Sequence, residues 1–319
     1  MAEIGLGLFQ FFLILGLAPF FAGIIHKLKQ NFRGQKGIKI TQFYTNFFKL
    51  LKKEAVISSE SSYISKIAPY IILSVNLLVL GILPAFYRYP LFAPLSDIIV
   101  IVYALSAATF FITLYSLDQG SPFGGLGGER EWFLTMLSEP SLIFIFVALA
   151  IYSKKGMITE IFYYIQKNAA IAVSNGFHGH FSIAIPFMLL ISLFILGLSE
   201  NARIPIDNPE THLELTMIHE ANILEASGKY LGMLEYSAYI KLSIFLTFMS
   251  LILFPYMAGN AAELPFAVLL YLFKMLMLCF IIAIFEVLNP KMRLFRAPNM
   301  LSVAFIISLI AMILSVRGV

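Results

Sequence analysis

Between Glu200 and Glu235 an otherwise apolar chain becomes crowded with ionisable side chains. Glu200, Arg203, Asp207, Glu210, His212, Glu214, His219, Glu220, Glu225, Lys229 and Glu235 fall between two long hydrophobic runs. Seven of the chain's 18 acidic residues lie in this one stretch. Charge beside a hydrocarbon core is costly, so acids retained there point to ion or proton handling. Carboxylates crowded in low dielectric are pushed towards protonation and resist ionising together, which lets such a group store or pass protons and answer a nearby redox event. The plainer reading is a surface helix capped by Asp207 or Asn208, with Pro209 in its first turn and Glu210 answering the helix dipole. On one continuous helix, Glu210, Glu214 and Glu225 share a sector with Met217, Ala221 and Leu224, flanked by Leu213, while His212 and His219 point away. Acids mixed into an apolar side favour function for the cluster as a whole.

Further charges sit inside or at the ends of the hydrophobic runs: Glu139 at the start of the fourth, Glu235 and Lys241 early in the sixth, Lys274 and Glu286 in the seventh. Lys274 is too central to snorkel and is expected to face the bundle or a partner. Glu286 and Lys241, near run ends, suit an interfacial role equally well. Other chemistry is poorly supported. His178-Gly-His180 has metal-ligating side chains, but a lone pair on a loop is usually solvated. His219-Glu220 lacks the H-E-x-x-H spacing of a zinc protease, and Gly120–Gly128 lacks the G-K-[ST] ending of a phosphate loop. That glycine-rich stretch is expected to turn tightly or to approach another surface closely.

The elements that must position these groups are membrane helices. The chain has 319 residues, is 60% hydrophobic with 31 Phe, and is only 13% charged, a composition outside the soluble range. Eight stretches reach the ~20 apolar residues needed to cross a bilayer: Ile4–Ile25, Ile67–Phe86, Ser96–Leu117, Trp132–Tyr152, Phe181–Ser199, Leu231–Met257, Leu264–Leu288 and Pro298–Val316. The fold class is therefore an all-α integral membrane protein. It forms one polytopic domain over residues 1–319, with connecting loops at 26–66, 118–131, 200–230 and 289–297. Pro90, Pro94, Pro140 and Pro290 fall at run ends, and kinks are expected at Pro186 and Pro255. Ile40–Lys53 has helical apolar spacing with interleaved lysines and reads as an amphipathic helix in the interface; Ile158–Val173 reads as a shorter one on the other side. No internal repeat is evident, which argues against a transporter built from inverted halves.

The single cysteine, Cys279, excludes a disulfide framework, a Cys-ligated zinc and a Cys-bound iron–sulfur cluster in this chain. The loops of one side carry about 15 Lys and Arg against about 5 opposite, so the acid-rich loop is expected in the cytoplasm, with both termini outside a plasma membrane. No cleavable signal peptide is expected, because the first run is long enough to span.

Several motifs carry a family resemblance. E-N-A-R-I-P-I-D (Glu200–Asp207) resembles the E-x-x-R-x-P-x-D loop of the membrane subunit that anchors the peripheral arm in respiratory NADH:quinone oxidoreductase and its hydrogenase relatives. Glu210, Glu214 and Glu235 continue the match through P-E-x-x-x-E-L and L-E-Y, and N-F-R-G-Q-K-G through K-L-L-K-K-E resembles the family's basic N-terminal segment. Pro122–Pro140, containing F-G-G-L-G-G-E-R-E, and Thr211–Glu220 resemble the energy-converting [NiFe]-hydrogenase branch. Lys36, Asn46 and Glu129 depart from the common pattern. The resemblance implies a non-catalytic subunit that carries no redox centre. A [NiFe] centre and iron–sulfur clusters would lie in a hydrogenase-like large subunit and an iron–sulfur small subunit, fed by ferredoxin. Arg33, Lys49, Lys53, Gly124, Gly125, Arg130 and Arg203 would contact that arm. Glu139, Glu200, Asp207, Glu210, Glu214, Glu220, Glu225, Glu235, Lys274 and Glu286 would carry coupling towards antiporter-like membrane subunits that move H⁺ or Na⁺. The alternatives are the equivalent subunit of a sulfane reductase or a quinone oxidoreductase, a stand-alone transporter pairing Lys274 with Glu286, and a purely structural anchor. Nothing in the sequence points to nucleic acid.

Overall fold

The computed structural model describes residues 2–58, 61–174, 184–208 and 216–317. Apolar composition over long stretches gives long helices: α1 (Ala2–Phe32), α3 (Ile64–Ile82), α4 (Ile98–Asp118), α5 (Pro122–Ser153), α9 (Gly228–Leu253), α10 (Leu264–Leu288) and α11 (Ala297–Arg317). These account for seven helices long and apolar enough to span; an eighth apolar helix, α7 (Ala184–Glu200), has 17 described residues. Shorter helices are α2 (Gln42–Lys52), α6 (Ile158–Ser174) and α8 (His219–Asn222). Among the described residues each of the eight expected runs is carried by a helix, and the amphipathic segments fold as α2 and α6.

Helix α9 is the central post, touching α1, α2, α3, α7 and α10. Its segment from Ile240 to Ile252 is buried throughout, packing Phe245, Phe248 and Met249 into the main apolar core. The loops predicted to share a side meet at one end. Val56 donates its backbone N–H to Ser227 Oγ (2.7 Å), Asp118 takes hydrogen bonds from Ser62 and Ser65, and the Met292 N–H reaches the Pro205 carbonyl (2.7 Å). The opposite end is closed by Gln10, whose amide serves the Phe86 and Tyr87 N–H groups and the Leu83 carbonyl.

Two sequence expectations need correction. The glycine-rich segment is not a loop: α5 begins at Pro122 and runs through Pro140, so Glu139 lies in mid-helix rather than at a helix start, and Pro140 does not end a run. The glycines serve the close approach that was the other expectation for them. A Cβ on Gly124 would lie 2.7 Å from the Ser116 carbonyl, and one on Gly127 would lie 2.7 Å from Ala221 Cβ. Small residues where helix backbones approach are the usual solution in membranes. Second, no continuous helix runs through the acid-rich loop. Among its described residues only His219–Asn222 are helical. The described residues Thr216–Ile218 are not helical and Glu225 is exposed beyond α8, so Glu225 is not on one continuous helix with the preceding acids; Pro209, Glu210, His212 and Glu214 lie outside the described residues. His178 and His180 lie outside them as well.

Candidate functional site

The acid-rich loop covers a polar cavity inside the bundle end. Its anchor is Glu200, the last residue of α7. The carboxylate accepts hydrogen bonds from Lys241 Nζ on α9 (2.7 Å) and Ser138 Oγ on α5 (2.6 Å), and Lys241 also donates to Thr109 Oγ1 on α4 (3.4 Å). Both charged side chains are about nine-tenths covered, at 12% and 10% exposed. An ion pair buried this far is retained at low cost only when neighbouring polar groups share the charge, which Ser138 and Thr109 do here. Lys241 is thus an internal ion-pair partner of Glu200, not the snorkelling residue the sequence allowed.

The cavity beside this pair has a volume of about 110 Å³. Its walls include Asn76, Glu131, Asn201, Arg203, His219, Glu220 and Tyr239. Asn76 is 2% exposed and donates to Ser237 Oγ at 2.6 Å. Its Oδ1, and that of Asn201, meet no partner among the described residues. Buried amide oxygens without partners at a polar cavity are the usual signature of water. His219 places Nδ1 3.8 Å from Glu131 Oε1, just beyond direct hydrogen-bonding distance. Burial works against the imidazolium, but the Glu131 and Glu220 carboxylates outweigh it and hold the His219 pKa above its ordinary value.

A second set of charges ties the loops around the cavity. Asp207, 2% exposed, accepts the backbone N–H groups of Ile218 (3.2 Å) and His219 (3.1 Å) and the Lys291 ammonium (2.7 Å). Its carboxylate thus organises the start of α8, eleven and twelve residues ahead. Lys291 also reaches the Thr216 carbonyl (2.7 Å), joining the α10–α11 loop to the acidic one. Arg203 pairs with Glu286 (3.3 Å), which lies fully buried and also meets Lys29 at 3.1 Å. Arg130 donates to the Met217 carbonyl at 2.7 Å.

The structure therefore sorts the sequence candidates. Glu200 and Glu220 line the cavity, and the half-buried Glu235 on α9 sits within electrostatic reach of Glu220. Asp207 and Glu286 are held in flanking ion pairs. Glu139 is half-buried on α5 and does not line the cavity. Lys274 stands apart, donating to the Phe254 carbonyl at 2.9 Å. It lies on α10 about 18 Å along the axis from Glu286 at ~1.5 Å per residue, so the Lys274–Glu286 coupling pair of the transporter reading is not formed. Of the expected docking residues, Arg33, Lys49 and Lys53 are exposed at the loop end and Gly125 has open space before it, whereas Gly124, Arg130 and Arg203 are engaged within the chain. Sequence reasoning did not single out Asn76, Glu131 or His219 as site residues. Glu131 stands in the R-E step of the quoted motif, but only the fold shows that it meets His219.

Comparison with known proteins agrees with this architecture. The model of the NADH dehydrogenase family matches residues 6–316. Hydrogenase-4 component C of Escherichia coli K12 is 29% identical over 82% of this chain and 78% of its own length. Formate hydrogenlyase subunit 4 of the same organism is 25% identical over 92% of both chains. Among solved structures, a chain of an archaeal membrane-bound sulfane sulfur reductase superposes with a TM-score of 0.81, covering 99% of this chain and 100% of that one at 17% identity, a likeness of fold. With the family match running almost end to end, the chain belongs to the NADH dehydrogenase family.

Proposed function

We propose that this chain is the membrane subunit of a ferredoxin-driven, hydrogenase-type respiratory complex, docking a peripheral redox arm and converting its chemistry into ion movement. The observation that carries the reading is the buried Glu200–Lys241 pair, set in a polar cavity covered by the acid-rich loop, with Arg33, Lys49 and Lys53 exposed on the neighbouring loop. Electron arrival and proton consumption in a docked [NiFe] and iron–sulfur arm alter the local field. A buried pair in low dielectric responds to such a change more strongly than a solvated one. Glu200, Glu220 and Glu235 then hand the altered protonation towards antiporter-like neighbours. The kinship with hydrogenase and formate hydrogenlyase components supports this branch.

This cavity is too small to hold a quinone by itself. Small-molecule sites occupy roughly 300–1,000 Å³, well above the ~110 Å³ here. Aromatic packing covers its α2 flank: Phe43 meets Tyr239 edge to face at 5.2 Å, and Phe47 stacks on Tyr236 at 4.6 Å.

The experiment is mild-detergent purification of the intact assembly through a tag on this chain, followed by nickel analysis and a ferredoxin-driven H₂ assay. Co-purifying nickel with H₂ evolution supports the reading. Iron–sulfur clusters without nickel move the chain to a sulfane-reductase complex. A chain that isolates alone and transports ions in liposomes contradicts the docking role.

A further inference from the structure

We propose that His219 is a proton-carrying residue of the cavity, exchanging a proton through Nδ1 with Glu131 beside the Glu200–Lys241 pair. This deepens the functional reading above and rests on it for the direction of flow. The starting point is geometric. Asn76 Oδ1, Asn201 Oδ1 and His219 Nδ1 are three buried polar atoms without a hydrogen-bond partner among the described residues, and all three residues line the same cavity. A space of about 110 Å³ with that many polar atoms is large enough for several waters, each of which needs two to four polar neighbours.

The gap of 3.8 Å between His219 Nδ1 and Glu131 Oε1 is closed by a small rotation or by one water. Backbone hydrogen bonding holds the ring near its place: the His219 N–H is fixed by Asp207 at 3.1 Å, and Asp207 is locked by Lys291. The groups facing the imidazole are Glu131 from α5, Glu200 from α7, Glu220 from α8, Lys241 and Tyr239 from α9, and Arg203 from the intervening loop. Lys241 is already paired with Glu200 and Arg203 with Glu286, so the Glu131 and Glu220 carboxylates favour a positive charge on His219. These two carboxylates hold its pKa above the ordinary imidazole value against the effect of burial, so the protonated ring is favoured. In the step itself the imidazolium gives its Nδ1 proton to the Glu131 carboxylate, directly after a small rotation or through one water. The Glu200–Lys241 pair stays ionised and feels the loss of the ring's positive charge, and no electron moves.

The test uses the intact complex with ¹⁵N-labelled histidine, the His219 resonance being assigned by its loss in His219→Gln. His219 should titrate above the ordinary imidazole value in the parent, and its midpoint should fall in Glu131→Gln. A midpoint unmoved by Glu131→Gln, or an imidazole that stays neutral from pH 5 upward, overturns the proposal. Ions moved per electron should drop in His219→Gln. Where Glu200→Gln abolishes that ratio and His219→Gln keeps it, His219 is not a carrier although the functional reading stands. Where both keep it, the functional reading itself fails.

Discussion

At the scale of single residues, the account rests on charges that are buried yet paired. Removing one partner of such a pair costs about 3–5 kcal/mol, because the survivor is left charged in low dielectric. Glu200→Ala is therefore expected to destabilise the protein by that amount in detergent melts. The double change Glu200→Gln with Lys241→Met, which removes both charges, should recover most of the loss. His219 adds a pH signature. A folded-state pKa raised above 6.5 gives stability that is fully present below that value and fades as pH rises through the raised one. The melting temperature should fall over that window, and His219→Gln should flatten the fall. The sequence showed that acids cluster here but not which ones meet. Glu200 and Lys241 are 41 residues apart and Glu131 and His219 are farther still, so pairing is decided by how α5, α7 and α9 cross.

At the scale of elements, helix period and apolar length made the spanning helices, α2 and α6 readable in advance. Two elements were not readable, each for a local reason. A run of glycines carries the signal of a turn, and only dense packing against α4 and α8 makes Gly124, Gly127 and Gly128 part of α5. Conversely, Asp207-Asn208-Pro209 carries a helix-start signal. Among the described residues the partners of the Asp207 carboxylate are the N–H groups of Asn208, Ile218 and His219 and the Lys291 ammonium, most of them far along the chain. Gly127→Ala should push α8 away from the cavity, costing about 1–3 kcal/mol by overpacking and lowering coupling. Gly228 is stricter: its φ of +53° and a Cβ position 2.5 Å from the Glu54 carbonyl admit no side chain. Gly228→Ala should detach the loop after α2 from the start of α9, seen as faster proteolysis near Glu54.

At the scale of the whole molecule, the polar end works as one unit. Asp207–Lys291, Arg203–Glu286–Lys29 and Arg130–Met217 tie the loops to one another, and Glu200–Lys241 sits beneath them. In the proposed role, a field applied by a docked arm would act on the buried pair across this short, tied region. With the cavity below the usual ligand size and Tyr239 covered by α2, quinone-site inhibitors should leave turnover of the complex unchanged.

The most direct measurement is ion translocation per electron in sealed inverted vesicles carrying the complex, comparing the parent with the Glu200→Gln, Lys241→Met double variant. That variant keeps the fold but holds no charge at the pair. The account predicts that electron transfer continues while ion movement per electron collapses. Unchanged ion movement would contradict it and leave the chain as an anchor alone.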